Sequence, residues 1–361
     1  MHDFAAQTGS CRRAQSFVIL DILRGVAAIS VVVLHFRPIF APIRAAGGYR
    51  AVDLFFVISG FVLAHAYDGR LAAGMPVASF LRARFVRLFP FYLLALLLGV
   101  AELAYLSRHL GMTDIIAAST IFGLFMLPTP PIGFAYDPLF PANVVCWTLF
   151  CELCVNALYA ASRKWQSIPA LVSTVAAAAC ALVAIAVFRG TLSGGGFWGD
   201  AYVACARTLF SFFAGVLLFR LGRPRRAPDR RVATGIAVAV VGLALFWPFP
   251  AAARGLIDVG VVLFVFPAVV LLATARAPEP CGSLDRLLGE ISYPIYVLQM
   301  PLLTTMIIAL DRLFPTLIAR TSPWIGIGAL IALATGSLLL VRWWDQPLRR
   351  WIGRWGAPRG S

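Results

Sequence analysis

Phe17-Val-Ile-Leu-Asp21-Ile-Leu-Arg24-Gly-Val-Ala-Ala-Ile-Ser-Val-Val-Val-Leu-His35-Phe36 is one apolar run that carries an arginine and a histidine. About 20 mostly apolar residues, wound as a helix, cross the hydrocarbon core of a bilayer. Arg24 and His35 lie eleven positions apart. At 3.6 residues per turn that is three turns plus about 20°, so both side chains share one helix face. Along the axis they stand roughly 16 Å apart, about half a hydrocarbon core. A charge at the centre of a membrane helix costs about 2.5–3.5 kcal/mol on insertion scales, so residues kept there usually serve a purpose. This pair points to chemistry carried out across a membrane.

The rest of the chain agrees. Its 361 residues are 60% hydrophobic and 13% charged, with a mean hydropathy of +0.85. Soluble domains carry about 25% charged residues, so the composition is that of an integral membrane protein. The net charge of +15 does not call for nucleic acid, because the basic residues fall between apolar spans, as the positive-inside rule would place them. Lys164 is the only lysine; such arginine bias reads as GC-rich coding and a bacterial source. Seven cysteines lie mostly in or beside apolar spans. Cys151-Glu-Leu-Cys154 has the form of a CxxC motif but no histidine near it, and cysteine in a membrane helix usually acts as a small hydrophobe. No metal site is expected. The first apolar segment holds Asp21 and Arg24 and lacks a small-residue cleavage site, so it is expected to stay as an anchor and working helix rather than a signal peptide.

Apolar spans of membrane length fall near 17–36, 51–67, 86–106, 143–161, 167–188, 201–220, 232–249, 255–274, 289–310 and 323–344. The stretch 113–127 is apolar but short, as in re-entrant or interfacial pieces, and prolines follow it. Charge decides whether it crosses. If it does not, and the N-terminus is cytoplasmic, 21 basic residues lie inside and 8 outside; if it does, the split becomes 10 and 19. The positive-inside rule prefers the first arrangement. The expected fold is all-α: a polytopic membrane helix bundle of about ten transmembrane helices, both termini cytoplasmic. Residues 1–16 read as a polar cytoplasmic tail, 17–344 as one transmembrane domain and 345–361 as a basic cytoplasmic tail.

In that topology Arg24 lies in the inner half of the first helix and His35 near its outer end. Asp53 begins the second helix at the same face. A carboxylate beside an imidazole orients its tautomer and stabilises its protonated form, so Asp53 is expected to orient His35; the other reading makes both plain interfacial residues. His2 and His109 lie in polar segments, and His65 near the inner end of the second helix suits an interfacial or satisfied role. His35 is therefore the candidate general base. Glu152, at mid-membrane depth, needs a partner, and Arg24 or Arg207 is expected to supply it, as a structural ion pair or a catalytic one. Arg82, Arg84 and Arg87 either anchor the inner face or bind an anionic cytosolic ligand, since arginine forks suit phosphate. Ser59, beside Gly60, is a nucleophile or, more commonly for Ser-Gly in a membrane helix, a packing position.

Seven segments together resemble the acyltransferase-3 family of bacterial membrane proteins: Leu20-Asp-Ile-Leu-Arg-Gly25 through His35, Val52-Asp-Leu-Phe-Phe-Val-Ile-Ser-Gly-Phe61, Arg84-Phe-Val-Arg-Leu-Phe-Pro90, Trp147-Thr-Leu-Phe-Cys-Glu152, Arg207 through Gly215, Ile291-Ser-Tyr-Pro-Ile-Tyr296 and Gln346-Pro-Leu-Arg-Arg350. They occur in the family's order over nearly the whole chain. The resemblance implies O-acylation, most simply O-acetylation, of a carbohydrate or other extracytoplasmic or lipid-linked acceptor at the inner membrane. Acyl-CoA would be the donor substrate, with no further cofactor. It maps the family's arginine-x10-histidine motif onto Arg24 and His35, and implies donor contacts from Arg24, Arg82, Arg84 and Arg87, with Arg207, Ser59, Tyr293 and Gln299 in support. Three positions depart from the pattern. Gln299 stands where the family commonly has a histidine; it can hydrogen-bond but not shuttle protons, so a second catalytic imidazole is not expected. Asp345-Gln346-Pro347 varies the Glu-x-Pro element, and Arg50-Ala51 replaces a usual glycine. No fused SGNH-type domain is evident, so acceptor handling is expected from the membrane domain or a partner. The competing reading is a transporter or flippase for a glycan or lipid intermediate. The chain lacks the repeated halves with interrupted helices that such proteins show.

Overall fold

A computed structural model describes residues 15–131, 137–222, 228–275, 279–280 and 283–354. Most of the expected tail 1–16, the basic positions 223, 225, 226 and 276, Cys11, Cys281 and the last residues of the basic tail lie outside the described residues. Apart from a two-residue antiparallel pairing of Gln15–Ser16 with Glu279–Pro280, the described chain is helical. The helices are α1 (Val18–His35), α2 (Ala51–Ala72), α3 (Val77–Ser107), α4 (Thr113–Leu124), α5 (Trp147–Ser162), α6 (Ile168–Arg189), α7 (Ala201–Leu221), α8 (Arg230–Phe246), α9 (Ala251–Ala273), α10 (Ser283–Leu313), α11 (Trp324–Leu340) and α12 (Gln346–Arg354). Among the described residues nine helices are long and apolar enough to cross a membrane. The span expected at 232–249 is α8, 17 residues long, about 25 Å and just under that length. The outer surface is itself apolar: Phe188 is 88% exposed and Leu256 78%, which suits lipid rather than water.

Two features set how the helices meet. The backbones of α2 and α7 touch at reciprocal glycines: a Cβ on Gly60 would collide with the carbonyl of Phe212, and one on Gly215 with the carbonyl of Val57. Small residues at a crossing allow this approach in a membrane, where packing rather than the hydrophobic effect joins helices. Prolines sit inside the two longest helices, Pro90 in α3 and Pro294 and Pro301 in α10. A proline removes the hydrogen bond to the carbonyl four residues earlier. For Pro301 that carbonyl belongs to Val297, and the Asn143 amide donates to it at 2.8 Å, tying the start of α5 to α10.

Helix α4 has 12 residues, about 18 Å, too short to cross. It begins six residues after α3 ends at Ser107 and descends until Gly123 O accepts from Tyr92 OH at 2.7 Å. The chain then climbs back. Leu139 N donates to Gly196 O (2.9 Å) and Trp198 Nε1 to Thr129 O (2.8 Å), beside the start of α7. The segment dips and returns at one end of the bundle, which is also where α1 ends in His35.

Candidate active site

One cavity of about 150 Å³ opens between α1, α2, α3, α5 and α10. Among its walls are six of the residues singled out in the sequence: Arg24, Ser59, Arg84, Arg87, Glu152 and Tyr293. Arg24 is paired with Asp21 at 3.2 Å and remains partly exposed. Arg87 is an exposed residue at the same end, and Arg349 of α12, part of the Gln346–Arg350 segment, adds to the positive field around it. Tyr293 spends its hydroxyl proton on Leu88 O at 2.6 Å. Arg82 lies exposed on α3, outside the lining.

Glu152 sits in the middle of the wall. Its partner is neither Arg24 nor Arg207, as expected, but Arg84, whose Nη2 donates at 3.1 Å. Ser59 Oγ donates at 2.5 Å and Asn156 Nδ2 at 3.4 Å, all to Oε1. The reason is rotation. Ser59, Arg84 and Glu152 fall on the inward faces of three neighbouring helices, whereas Arg207 faces the α2 side of α7. Ser59 therefore belongs to the polar wall, while packing falls to its neighbour Gly60.

Asp53 does not orient His35. Both its oxygens take hydrogen bonds from Arg207, the shortest 2.7 Å, and Ser211 Oγ adds a contact at 3.5 Å. Arg207 spends its remaining donors on Gly194 O (3.0 Å) and Tyr49 O (2.6 Å). The pair is sealed, each side chain 1% exposed. A second buried pair adjoins it: Arg50 Nε meets Asp258 at 2.6 Å, and Tyr49, Thr191 and the backbone N–H of Leu192 donate to the same carboxylate. Arg50, noted only as a departure at the start of α2, is thus a buried cation with a partner 208 residues away. At the opposite end of the bundle, Asp68 gathers Tyr159, Arg163 and Arg220 at 2.8–2.9 Å. Two of the loop arginines that sequence reading counts as topology signals are thereby tied to a partly buried carboxylate.

His35 is exposed at the C-terminal end of α1 and does not line the cavity. Gln299 of α10 is its neighbour. Gln299 is fully buried; its Nε2 donates to Tyr296 O at 2.9 Å, while its Oε1 makes no hydrogen bond. Tyr296, one turn back along α10, closes the cavity's far end with Thr148 at 3.0 Å. Arg24 and His35 thus sit near opposite ends of one path, with the cavity between. His65 packs edge-on against Phe17 and Phe219. Of the cysteines, Cys146 and Cys151 are buried and free. Among the described residues no cluster of His, Cys, Asp or Glu has the makings of a metal site.

A family model described as an acyltransferase domain, of the acyltransferase-3 type, matches residues 17–342. The chain is also 38% identical over 185 residues to "Protein 2 in picA locus" of Rhizobium radiobacter, a match covering 48% of this chain and 94% of that protein. No solved structure matches it.

Proposed function

The chain belongs to the acyltransferase-3 family, and from that membership we propose that this multi-pass membrane acyltransferase moves an acyl group, most simply acetyl, from cytosolic acyl-CoA to a hydroxyl on the far side of a bacterial inner membrane. The acceptor is a carbohydrate or another extracytoplasmic or lipid-linked molecule, and both termini face the cytosol. The observation that carries this reading is the cavity itself. It starts among arginines at Arg24 and Arg87 and ends one helical turn short of Gln299 and His35.

The donor's phosphates bind at the Arg24 end, where Arg87 is exposed and Arg349 adds positive field. Arginine suits them because its planar fork matches phosphate oxygens. The thin pantetheine arm lies along the cavity, past the Ser59–Glu152–Arg84 wall, and brings the thioester toward its far end. His35 accepts the proton of the acceptor hydroxyl as that oxygen attacks the thioester carbon. The C–O bond forms, the C–S bond breaks, and the proton passes to the departing thiolate. Gln299 beside His35 positions the imidazole, the part earlier expected of Asp53. Positioned acid–base catalysis contributes typically 10²–10⁴-fold.

The test uses membranes holding the wild type or His35→Ala, supplied with labelled acetyl-CoA and a total glycan and glycolipid extract. Label transferred by the wild type and lost at least about 10²-fold in the variant supports donor, reaction and base together. Transfer that survives His35→Ala removes the histidine from the mechanism.

A further inference from the structure

We propose that Phe55, Thr148 and Tyr296, with Val52 one turn above Phe55 on α2, form a ceiling that restricts the donor to short acyl groups of about four carbons or fewer; this rests on the reading of the cavity as the donor site. Thr148 gives its proton to Val145 O at 2.9 Å, so the hydrogen bond of 3.0 Å between Thr148 and Tyr296 is donated by the tyrosine. That bond bridges α5 and α10 across the end of the cavity. Phe55 of α2 meets the Tyr296 ring edge-on, centroids 5.6 Å apart, so three helices close the same layer. Tyr296 is only 7% exposed, and its carbonyl is held by Gln299.

Both hydroxyl protons are spent, that of Tyr296 on Thr148 and that of Thr148 on Val145 O, so the ceiling offers the cavity mostly carbon. The nearest carboxylate, Glu152, lies one turn further down α5. This is a chamber for an uncharged thioester and a small tail. Geometry sets the length. Reacting atoms must approach to about 3–3.5 Å, and His35 with Gln299 stands beyond the ceiling, so the thioester carbon has to come up against its underside. Little room then remains for the acyl tail. Four additional methylenes add about 5 Å, from C–C bonds near 1.5 Å, close to the 5.4 Å of a helical turn. Such a tail must push into the packed layer, and overpacking of that kind weakens binding by about tenfold or more.

The experiment measures thermal stabilisation of the purified full chain by CoA and by acetyl-, butyryl-, hexanoyl- and octanoyl-CoA, a readout that needs no acceptor. Acetyl- and butyryl-CoA are expected to stabilise the wild type, with apparent affinity falling about tenfold or more at hexanoyl. Phe55→Ala, or the milder Phe55→Leu if the first does not fold, should restore hexanoyl binding. Tyr296→Phe, which keeps the ring and removes the hydrogen bond, should leave the length limit in place. Equal stabilisation by acetyl- and octanoyl-CoA overturns the ceiling and leaves the donor site standing. Folded Phe55 variants that still reject hexanoyl also overturn it. Stabilisation by none of the five ligands overturns the donor site, and the ceiling with it.

Discussion

Of the arginine–carboxylate pairs inside this bundle, Asp53–Arg207 and Glu152–Arg84 share one chemistry and differ in what is left over. In Asp53–Arg207 nothing is: both carboxylate oxygens and all three guanidinium nitrogens have partners, and each side chain is 1% exposed. In Glu152–Arg84 every hydrogen bond falls on one carboxylate oxygen, Arg84 Nε is buried without a partner, and the side chains are 12% and 7% exposed on a cavity wall. A buried pair whose valences are all met holds helices together. One with unspent valences beside a cavity has capacity for a ligand. Burial and charge alone do not separate the two; the hydrogen-bond census does.

The contrast can be broken experimentally. Asp53→Asn is expected to have the largest effect, because it leaves the Arg207 charge enclosed without its counter-ion. Removing one partner of a buried pair costs about 3–5 kcal/mol, so thermal unfolding in detergent should show a much lowered Tm or no folded protein. Glu152→Gln should reverse the pattern, costing about 1 kcal/mol of stability, since its site opens to the cavity, but lowering acyl transfer by about 10²-fold or more. If Glu152→Gln unfolds the protein and Asp53→Asn merely slows it, the assignment is inverted. Ser59→Ala removes a hydrogen bond to the same carboxylate and should slow transfer about tenfold, with Tm nearly unchanged. The smallest change is expected for Thr191→Val, which withdraws one of several donors from Asp258. It should cost about 1 kcal/mol in an unfolding measurement and leave the transfer rate as it was.

The long apolar runs made the bundle readable, because a bilayer imposes length and internal backbone satisfaction on every crossing helix. The short 113–127 stretch was readable for the same reason, in reverse. Partner choice was not. Asp53 and Glu152 were both recognised as buried carboxylates needing company, yet each was given the wrong companion, because pairing depends on how helices are rotated about their axes. Arg50 and Asp258 illustrate the limit: nothing local links residues 208 positions apart. Pro301 lies between these cases. Its presence in a helix announces that the carbonyl of Val297 needs a donor, but only the fold identifies Asn143. Similarly, the Arg24–His35 spacing correctly put the two on one helix, while the cavity that lies between them is made by side chains from four others.

The reciprocal contact of α2 and α7 at Gly60 and Gly215 has a mechanical consequence. With each backbone wedged against the other's carbonyl, neither helix can slide or roll without a clash, and Asp53–Arg207 and Asp68–Arg220 clamp them near both ends. This half of the molecule behaves as a stator. Helices α3 and α10, facing it across the cavity, contain the prolines where a helix bends most easily. Opening that admits or releases a molecule is thus easiest where α3 and α10 face this clamped pair, a jaw closing on an anvil rather than two halves rocking about a centre.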